Sequence, residues 1–289
     1  MKTLCLYHND ADGRASAAIV RRALGNEVSI CEMKYGDSLP LEDVLISDHI
    51  IIVDFSLSRE DMERLSGYHK ITWIDHHKTA IEELAEISQT WPGIRDTSEA
   101  ACVLTWNYFF PDIDVPLSVK LVGDRDIWRW DHQDTGAFNE GLYQLNTNPR
   151  NDRLWKPLLD DDQQLINEIV EHGRALREAR LKAIQSSTAR YGYPVNFEGY
   201  RTLAINMRGS GDLGEHIRNH GYEIGYCYID NFLDGELYTF VSLYSDEVDV
   251  ADIAHRFGGG GHAGASGFHF KRGTSPFPPG AKFNFNQNQ

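Results

Sequence analysis

Three short apolar runs in the first eighty residues each end directly on a polar residue, and this pattern constrains the fold most. The residues that close the runs are His8, Asp54 and Asp75. The runs are apolar throughout rather than alternating, which is typical of strands buried on both faces of a parallel sheet. Helical patterns separate the runs, and this alternation of strand and helix predicts an α/β fold.

The three strand ends carry a cluster of acids and histidines. Because the carboxyl ends of parallel strands meet at one edge, where ligands bind, we expect a single crevice to receive His8, Asp10, Asp12, Asp54, Asp75, His76 and His77. An extended segment at residues 8–12 would point the first three the same way, since they are two apart. Crowded carboxylates need a counter-charge, and mixed aspartate and histidine ligands suit Mn²⁺, Mg²⁺, Fe²⁺ or Zn²⁺ better than Ca²⁺.

Each of these residues alone has a simpler explanation. An aspartate after a strand usually forms a turn or caps a helix, and His76 and His77 taken alone could be surface residues. The coincidence of three such strand ends favours the metal site.

A run of four glycines, Gly258, Gly259, Gly260 and Gly261, precedes His262. Bare backbone amides can form an anion-binding nest, to which the N-terminus of a following helix would contribute. His262 could then donate to a phosphoryl oxygen. The alternative is a flexible hinge, but the small residues that follow favour phosphate binding.

The pattern of the chain changes after residue 160. Apolar residues recur at helical spacing among many charges over residues 160–190, which predicts a long amphipathic helix. An α/β pattern resumes beyond Pro194. We therefore expect a catalytic domain over residues 1–160, a helical connector over 161–193, a second domain over 194–275 and a tail, part loop and part frayed end, over 276–289.

The composition and charge of the chain limit the kinds of partner that it can bind. The 289 residues include 43 acids against 28 bases, a formal charge of −15, which disfavours a protein that coats long nucleic acid. No apolar run approaches the ~20 residues of a membrane helix, and charges interrupt the first apolar stretch, unlike a secretory signal. The four cysteines form no zinc-type pair. We expect a cytoplasmic protein without membrane contact.

Five motifs, in order, resemble those of the DHH phosphoesterase superfamily. They are His8-Asn9-Asp10-x-Asp12-Gly13, Asp54, Asp75-His76-His77, Gly123-Asp124 and the Gly258–His262 run followed by Ala265-Ser266-Gly267. The fifth resembles the GGGH motif of the DHH-associated C-terminal domain. The resemblance covers residues 1–270, and within the superfamily the opening motif and length are most similar to the nanoRNase group of short-oligonucleotide nucleases.

The resemblance implies two lobes around a cleft and a two-metal centre, with Mn²⁺ as the usual metal and Mg²⁺ as the alternative. It implies His8 and Asp10 on one ion, Asp12, His76 and Asp124 on the other, and Asp54 between them. It implies that Asp75 orients a ligand and that His77 faces the scissile phosphate. The glycines and His262 would hold a substrate phosphate.

One family feature is missing. Many relatives have an Arg-Ser pair in the strand before the last helix, whereas this chain has Ser242-Leu243-Tyr244. Arg208 could replace the lost charge or be a solvated loop residue, and Tyr244 could stack on a base or only pack. Arg125, followed by Trp128 and Trp130, could hold phosphate and bases, although the tryptophans are as readily explained as core.

The resemblance thus implies a metal-dependent phosphodiesterase acting on short oligonucleotides or small phosphorylated nucleotides, and a homodimer is compatible with it. An inorganic pyrophosphatase of the same superfamily would lack the glycine run. A RecJ-like single-strand exonuclease would be longer. A non-catalytic nucleotide sensor would not need all six predicted metal ligands.

Overall fold

The computed structural model of the protein describes residues 2–285. The chain divides into two compact units, Met1–Arg177 and Glu178–Gln289. Each unit contains its own sheet, parallel in the first and mixed in the second, so the predicted α/β class with two domains is confirmed. The division falls inside a helix of 29 residues, Gln163–Tyr191, within the predicted connector. The predicted boundaries at residues 160 and 193 stay predictions.

The sheet of the first unit has four parallel strands in the order β2-β1-β3-β4. The strands are β1 (Thr3–His8), β2 (Ser29–Met33), β3 (His49–Val53) and β4 (Lys70–Ile74). Strand β1 pairs with β2 on one side and with β3 on the other. The strand order therefore reverses between β1 and β3, and such a switch point opens the crevice in which α/β sheets bind ligands.

Among the described residues, nine helices lie in the first unit or, for the last of them, extend beyond it: α1 (Ala11–Leu24), α2 (Leu41–Leu45), α3 (Arg59–Tyr68), α4 (Lys78–Leu84), α5 (Ala101–Phe109), α6 (Leu117–Asp126), α7 (Thr135–Tyr143), α8 (Asp152–Leu159) and α9 (Gln163–Tyr191). The strands are buried on both faces, as the continuous apolar runs predicted. Leu6 and Ile52 pack in one cluster, whereas Tyr7 and Ile51 pack in another.

The segment after β1 is not extended, so the prediction that residues 8, 10 and 12 point the same way for that reason is wrong. Helix α1 begins at Ala11, because the Asp10 side chain caps it by accepting from the backbone N–H of Gly13 at 2.9 Å. Asp12 lies in the first helical turn. His8 therefore lies at the end of a strand, Asp10 at the N-cap of a helix and Asp12 within that helix.

The second unit has a seven-stranded mixed sheet in the order β11-β5-β6-β7-β8-β10-β9. Its strands are β5 (Tyr193–Phe197), β6 (Tyr200–Asn206), β7 (Ile224–Leu233), β8 (Glu236–Tyr244), β9 (Gly260–His262), β10 (Ala265–Lys271) and β11 (Phe283–Phe285). Two helices, α10 (Gly211–Asn219) and α11 (Val250–Arg256), accompany them. Neighbouring strands are antiparallel except β6 and β7.

The predicted tail is more ordered than expected over the residues that the structure describes. Strand β11 pairs with β5, and the Phe277 ring is 3% exposed between Phe197 and Phe283. Burial of this aromatic ring and the backbone pairing of β11 with β5 both favour the ordered segment. Residues 286–289 of the predicted frayed end lie outside the described residues.

Within residues 2–285, no helix has the length and apolar character needed to cross a membrane.

We predict that Phe277→Ala lowers the free energy of unfolding by about 3–5 kcal/mol, because it empties a filled aromatic site. Urea denaturation followed by tyrosine fluorescence would measure the loss. Phe285→Ala is the control, since that ring is 56% exposed, and should cost less than about 1 kcal/mol. Equal stability of Phe277→Ala and the unmodified chain would show that the segment does not hold the sheet.

Candidate metal centre

The end of β1 and the start of α1 place two potential ligands side by side. His8 Nδ1 lies 2.7 Å from an Asp10 carboxylate oxygen. A Cβ on Gly13 would lie 2.2 Å from the His8 carbonyl oxygen, so only glycine allows the helix to start this close to the strand. The hydrogen bonds from His8 and Gly13 hold the pKa of Asp10 below its usual value, although burial acts in the opposite direction.

Asp54 follows β3 and lies at the centre of the site. Its side chain is 1% exposed, and its backbone adopts a φ of 63°, which is uncommon for a residue other than glycine. One carboxylate oxygen, Oδ2, lies 3.7 Å from His8 Nδ1 and has no hydrogen-bond partner. A buried carboxylate oxygen without a donor is costly, and a cation would satisfy it.

His76 Nε2 faces three carboxylates from three different elements. It lies 3.3 Å from Asp54 Oδ1, 3.4 Å from Asp126 Oδ2 and 3.7 Å from Asp12 Oδ2. These separations exceed those of good hydrogen bonds. Ligand atoms about 2.0–2.2 Å from a shared ion are themselves roughly 3–3.5 Å apart, so the arrangement fits a metal site.

Asp12 is held in place by a helix terminus. Its two carboxylate oxygens accept from the backbone N–H groups of Ala101 and Cys102, both at 2.8 Å, at the start of α5. The N-terminal end of a helix stabilises a negative charge. Asp12 is therefore positioned and its charge supported although its side chain is wholly buried.

The carboxylates of the cluster repel one another. Burial and the charges of Asp12 and Asp10 raise the pKa of Asp54 well above its usual value. Burial, Asp12 and Asp10 likewise raise the pKa of Asp126 to about 8. Protons or a cation must relieve this repulsion near neutral pH. The donor set and the unsatisfied Asp54 oxygen together fit divalent metal.

The ligand atoms fall into three overlapping groups among the described residues. Within each group the atoms lie within 4.8 Å of one another, and the groups are His8 with Asp10 and Asp54, Asp12 with His76 and Asp126, and Asp54 with His76 and His77.

Asp75 organises the histidine pair that follows β4. Its Oδ1 accepts from the backbone N–H of His76 at 2.8 Å and lies 2.7 Å from His77 Nδ1. This contact raises the pKa of His77 and leaves its Nε2 free for another partner. Asp75 is fully buried, whereas the His77 side chain is 38% exposed.

The structure does not bring Asp124 into the cluster. Its carboxylate oxygens accept from the backbone N–H groups of Asp131 and His132 and from the Thr135 hydroxyl. Asp126, two residues further along α6, lies beside His76 instead. The sequence reasoning missed Asp126, although the Asp124-Arg125-Asp126 spacing was visible. We therefore propose Asp126, in place of Asp124, for the ligand role.

Tyr35 is a second residue that the sequence reasoning missed. Its ring centroid lies 5.5 Å from that of His8 and 6.3 Å from that of His77, and the side chain is 59% exposed. Burial and the nearby charges of Asp75 and Asp54 raise its pKa to about 12, so the phenol is neutral. No sequence motif distinguishes it from other tyrosines.

The glycine run of the second unit is not an open nest followed by a helix. The amides of Gly258 and Gly259 donate to the carbonyls of His255 and Ala254 and so close α11. Gly260 and Gly261 continue into strand β9. This part of the predicted anion site is wrong, because two of its four donors are already used and a strand follows.

The glycines are required by close packing. A Cβ on Gly259 would lie 2.0 Å from the Gly267 carbonyl oxygen, and one on Gly261 would lie 2.6 Å from Ser266 Cα. Gly261 also has a φ of 141°. The resulting β9–β10 hairpin leaves His262 exposed at its end.

Arg208 lies beside the strand from which the family arginine is missing. It is exposed after β6 and lines a cleft of about 410 Å³ with Tyr228, Phe240 and Ser242. The next residue, Gly209, is so close that an added Cβ would lie 2.5 Å from Ser242 Cβ. Tyr244 packs against Gly214 of α10, which favours the packing explanation for this residue.

Arg125, in the last turn of α6, and Trp128 and Trp130, in the loop that follows, are all exposed. The core explanation for the two tryptophans is therefore wrong.

Two curated proteins are similar to this chain in sequence. Uncharacterized protein R106 of Acanthamoeba polyphaga mimivirus is 29% identical over 252 residues, covering 83% of this chain and 58% of that protein. Oligoribonuclease NrnB of Bacillus subtilis is 24% identical over 294 residues, covering 90% and 71%. The chain thus spans little more than half the length of the mimivirus protein. No family model matches the sequence.

Two solved structures share the fold. The pGpG-specific phosphodiesterase PggH of Vibrio cholerae superposes with a TM-score of 0.56 at 14% identity, over 94% of each chain. The DHH domain of a protein assigned to a family of ribosomal proteins superposes with a TM-score of 0.53 at 16% identity, over 92% of this chain and 82% of that one. The chain has the DHH fold. The fold that the motif resemblance implied is therefore confirmed.

We predict that Asp126→Asn raises the melting temperature of the metal-free protein at pH 8. The pKa of Asp126 in the folded chain, about 8, exceeds its ordinary value of about 3.9. Its contribution therefore destabilises the fold increasingly as pH rises between these values, and asparagine removes it. We expect a gain of a few degrees, at about 3 °C per kcal/mol, which disappears near pH 4.

Calorimetry after chelation would measure these melting temperatures. Added Mn²⁺ should then stabilise Asp126→Asn less than the unmodified protein and less than Asp112→Asn, an exposed control. Equal metal stabilisation of all three proteins would contradict a ligand role for Asp126.

Proposed function

We propose that the chain is a metal-dependent phosphodiesterase that hydrolyses short oligonucleotides or small phosphorylated nucleotides and releases nucleoside monophosphates. The observation that carries the proposal is the contact of His76 Nε2 with the carboxylates of Asp12, Asp54 and Asp126 in one buried cluster. The similarity to proteins named oligoribonuclease and pGpG-specific phosphodiesterase supports the substrate class.

Two divalent ions, with Mn²⁺ favoured over Mg²⁺, would be held by the cluster. His8 and Asp10 would bind one, Asp12, His76 and Asp126 the other, and Asp54 both. When bound, the ions supply a water of lowered pKa and neutralise charge on the phosphate. The Asp54 side chain is suited to two partners, because one of its oxygens lies near His8 and the other near His76.

Asp75 and His77 would assist the departure of the leaving group. Asp75 fixes Nδ1 of His77 and raises its pKa, so the imidazolium is favoured and Nε2 carries a proton. The attacking water would lose one proton to solvent, its oxygen would bond to phosphorus as the bond to the 3′ oxygen breaks, and His77 Nε2 would donate its proton to the departing 3′ oxygen. The products are a 5′-phosphorylated nucleotide and a shortened oligomer.

Residues of the second unit are proposed for binding a substrate phosphate. His262 is exposed at the end of the β9–β10 hairpin, and Arg208 is exposed beside Ser242. Gly258 and Gly259 would contribute through the shape of the turn rather than as amide donors. In the first unit Arg125 would supply another cation. The formal charge of −15 favours short substrates held by such local groups over long, backbone-tracked polymers.

We predict that Mn²⁺-supported hydrolysis is fastest on short oligonucleotides. The test compares dinucleotides, five-residue RNA and DNA, long labelled strands, a 3′,5′-bisphosphorylated nucleoside and pyrophosphate, with products resolved by chromatography. Asp54→Asn should lose at least about 10³-fold in rate, because the central carboxylate is removed. Asp112→Asn should retain full activity.

Other outcomes of the same panel would replace the proposal. Fastest turnover of long single strands would indicate a RecJ-like exonuclease, and turnover of pyrophosphate alone would indicate a pyrophosphatase. Binding of nucleotides without turnover, under matched metal loading, would indicate a sensor. A fully active Asp54→Asn variant would contradict the metal mechanism itself.

We also predict that His262→Ala raises KM for a short oligonucleotide about 10-fold, because it loses a charge-assisted hydrogen bond to phosphate. Calorimetric titration should show that His262→Ala binds Mn²⁺ with the same affinity as the unmodified protein. His172→Ala, at an exposed histidine of the first unit, is the control. A weakened Mn²⁺ affinity in His262→Ala would argue against a separate phosphate-binding role.

A further inference from the structure

Two tryptophans with exposed rings, Trp128 and Trp130, follow Asp126 of the candidate metal centre in the sequence. Trp128 is 78% exposed and Trp130 is 44% exposed, whereas the other four tryptophans are buried or half-buried. Their ring centroids lie 5.6 Å apart at an interplanar angle of 70°. This edge-to-face contact fixes the rings against each other and leaves ring surface open to solvent. Exposing these two apolar rings to water is unfavourable, and the rings do not offset this by packing into the protein's own core.

The backbone that presents this Trp128–Trp130 pair is strained. Trp128 has a φ of 55° and Trp130 a φ of 60°, in the left-handed region that bulky side chains rarely adopt. Strain of this kind persists where the surroundings enforce it, and it is concentrated at functional sites. Glycine would fit both positions better, so local stability does not explain the tryptophans.

Asp124 enforces the strained conformation. Its backbone carbonyl accepts from the N–H of Arg129 at 3.0 Å, and its side chain accepts from the N–H groups of Asp131 and His132. The loop is thus bound near its middle and at its far end to one buried residue. This network gives Asp124 a role that does not involve a metal ion.

The pair adjoins the residues proposed for catalysis. Asp126, beside His76, is two residues before Trp128. The Arg125 side chain is exposed and makes no hydrogen bond or ion pair to any of residues 2–285. Arg129, in contrast, is paired with Glu99. The end of α6 and the loop after it therefore combine an exposed arginine, a metal-ligand candidate and two open aromatic surfaces within six residues.

We propose that the Trp128–Trp130 pair is a stacking surface for nucleobases of a single-stranded oligonucleotide, with Arg125 on an adjacent phosphate. The inference rests on the proposed phosphodiesterase function, because it requires the scissile phosphate at the metal centre. Stacking on aromatic rings tolerates every base, and an arginine beside the rings matches the alternation of base and phosphate. A protein partner would need neither the exposed arginine nor the neighbouring metal ligands.

The proposal narrows the substrate class. A base can stack on these rings only when it is not paired, so duplex ends should be poor substrates. A small phosphodiester without bases reaches the metal centre but gains nothing from the rings. Preference for single-stranded oligomers would then arise in KM rather than in kcat.

The test uses Trp128→Gly and Trp130→Gly, singly and together, because glycine suits the left-handed backbone. Steady-state kinetics with Mn²⁺ would compare a five-residue oligonucleotide with a small diester that has no aromatic ring, the abasic dinucleotide. We expect the double variant to raise KM for the oligonucleotide about 10- to 100-fold while leaving kcat/KM for the small diester unchanged. The melting temperature should stay equal or rise, since strain is released. The control is Tyr143→Ala, at a tyrosine that is 85% exposed. It should change neither the KM for the oligonucleotide nor the kcat/KM for the small diester.

The experiment distinguishes a failure of the proposed stacking surface from a failure of the proposed function. An unchanged oligonucleotide KM in the double variant would overturn the stacking surface while leaving the proposed function intact. An equal loss on both substrates, or a lower melting temperature, would show a structural role for the rings and also overturn it. Self-association of the unmodified chain that the double variant abolishes, measured by sedimentation, would assign the pair to an interface between copies. Absence of turnover of either substrate by the unmodified chain would instead defeat the proposed function.

Discussion

The mutual repulsion of buried carboxylates at the end of the parallel sheet is the constraint on which the site depends. Asp12 and Asp54 are almost wholly buried, and Asp126 is largely so, around one histidine nitrogen. Their proximity raises the pKa of Asp54 and Asp126. A fold that retains such a cluster gives up stability that uncharged residues would restore. The arrangement is explained if a divalent cation offsets the charge.

The parallel sheet imposes this crowding. The order β2-β1-β3-β4 places the ends of β1 and β3 side by side, so His8 and Asp54 cannot separate. Gly13 lets α1 begin directly after β1, and the N-terminus of α5 supports the charge of Asp12. Backbone donors, rather than side chains of opposite charge, therefore hold Asp12 in place, which leaves its remaining lone pairs for a ligand.

Much of the fold and most of the cluster could be predicted, because buried strands and their polar ends are local in sequence. The remainder depended on tertiary contacts. Asp124 and Asp126 are equally acidic in the sequence, and only the direction of the α6 terminus decides that Asp126 faces His76. The glycine run suggested a nest, yet its packing against β10 is a long-range requirement. Exposure of Trp128 and Trp130 likewise depends on the Asp124 network, which no local pattern reveals.

The most direct test of the account is the number and coupling of metal ions that the protein binds. Equilibrium dialysis followed by elemental analysis would count Mn²⁺ per chain, and electron paramagnetic resonance would report whether neighbouring ions interact. The account predicts two Mn²⁺ ions per chain with a spin-coupled spectrum, because Asp54 lies between two ligand groups. A single uncoupled ion at saturation, or no tightly bound ion, would contradict it.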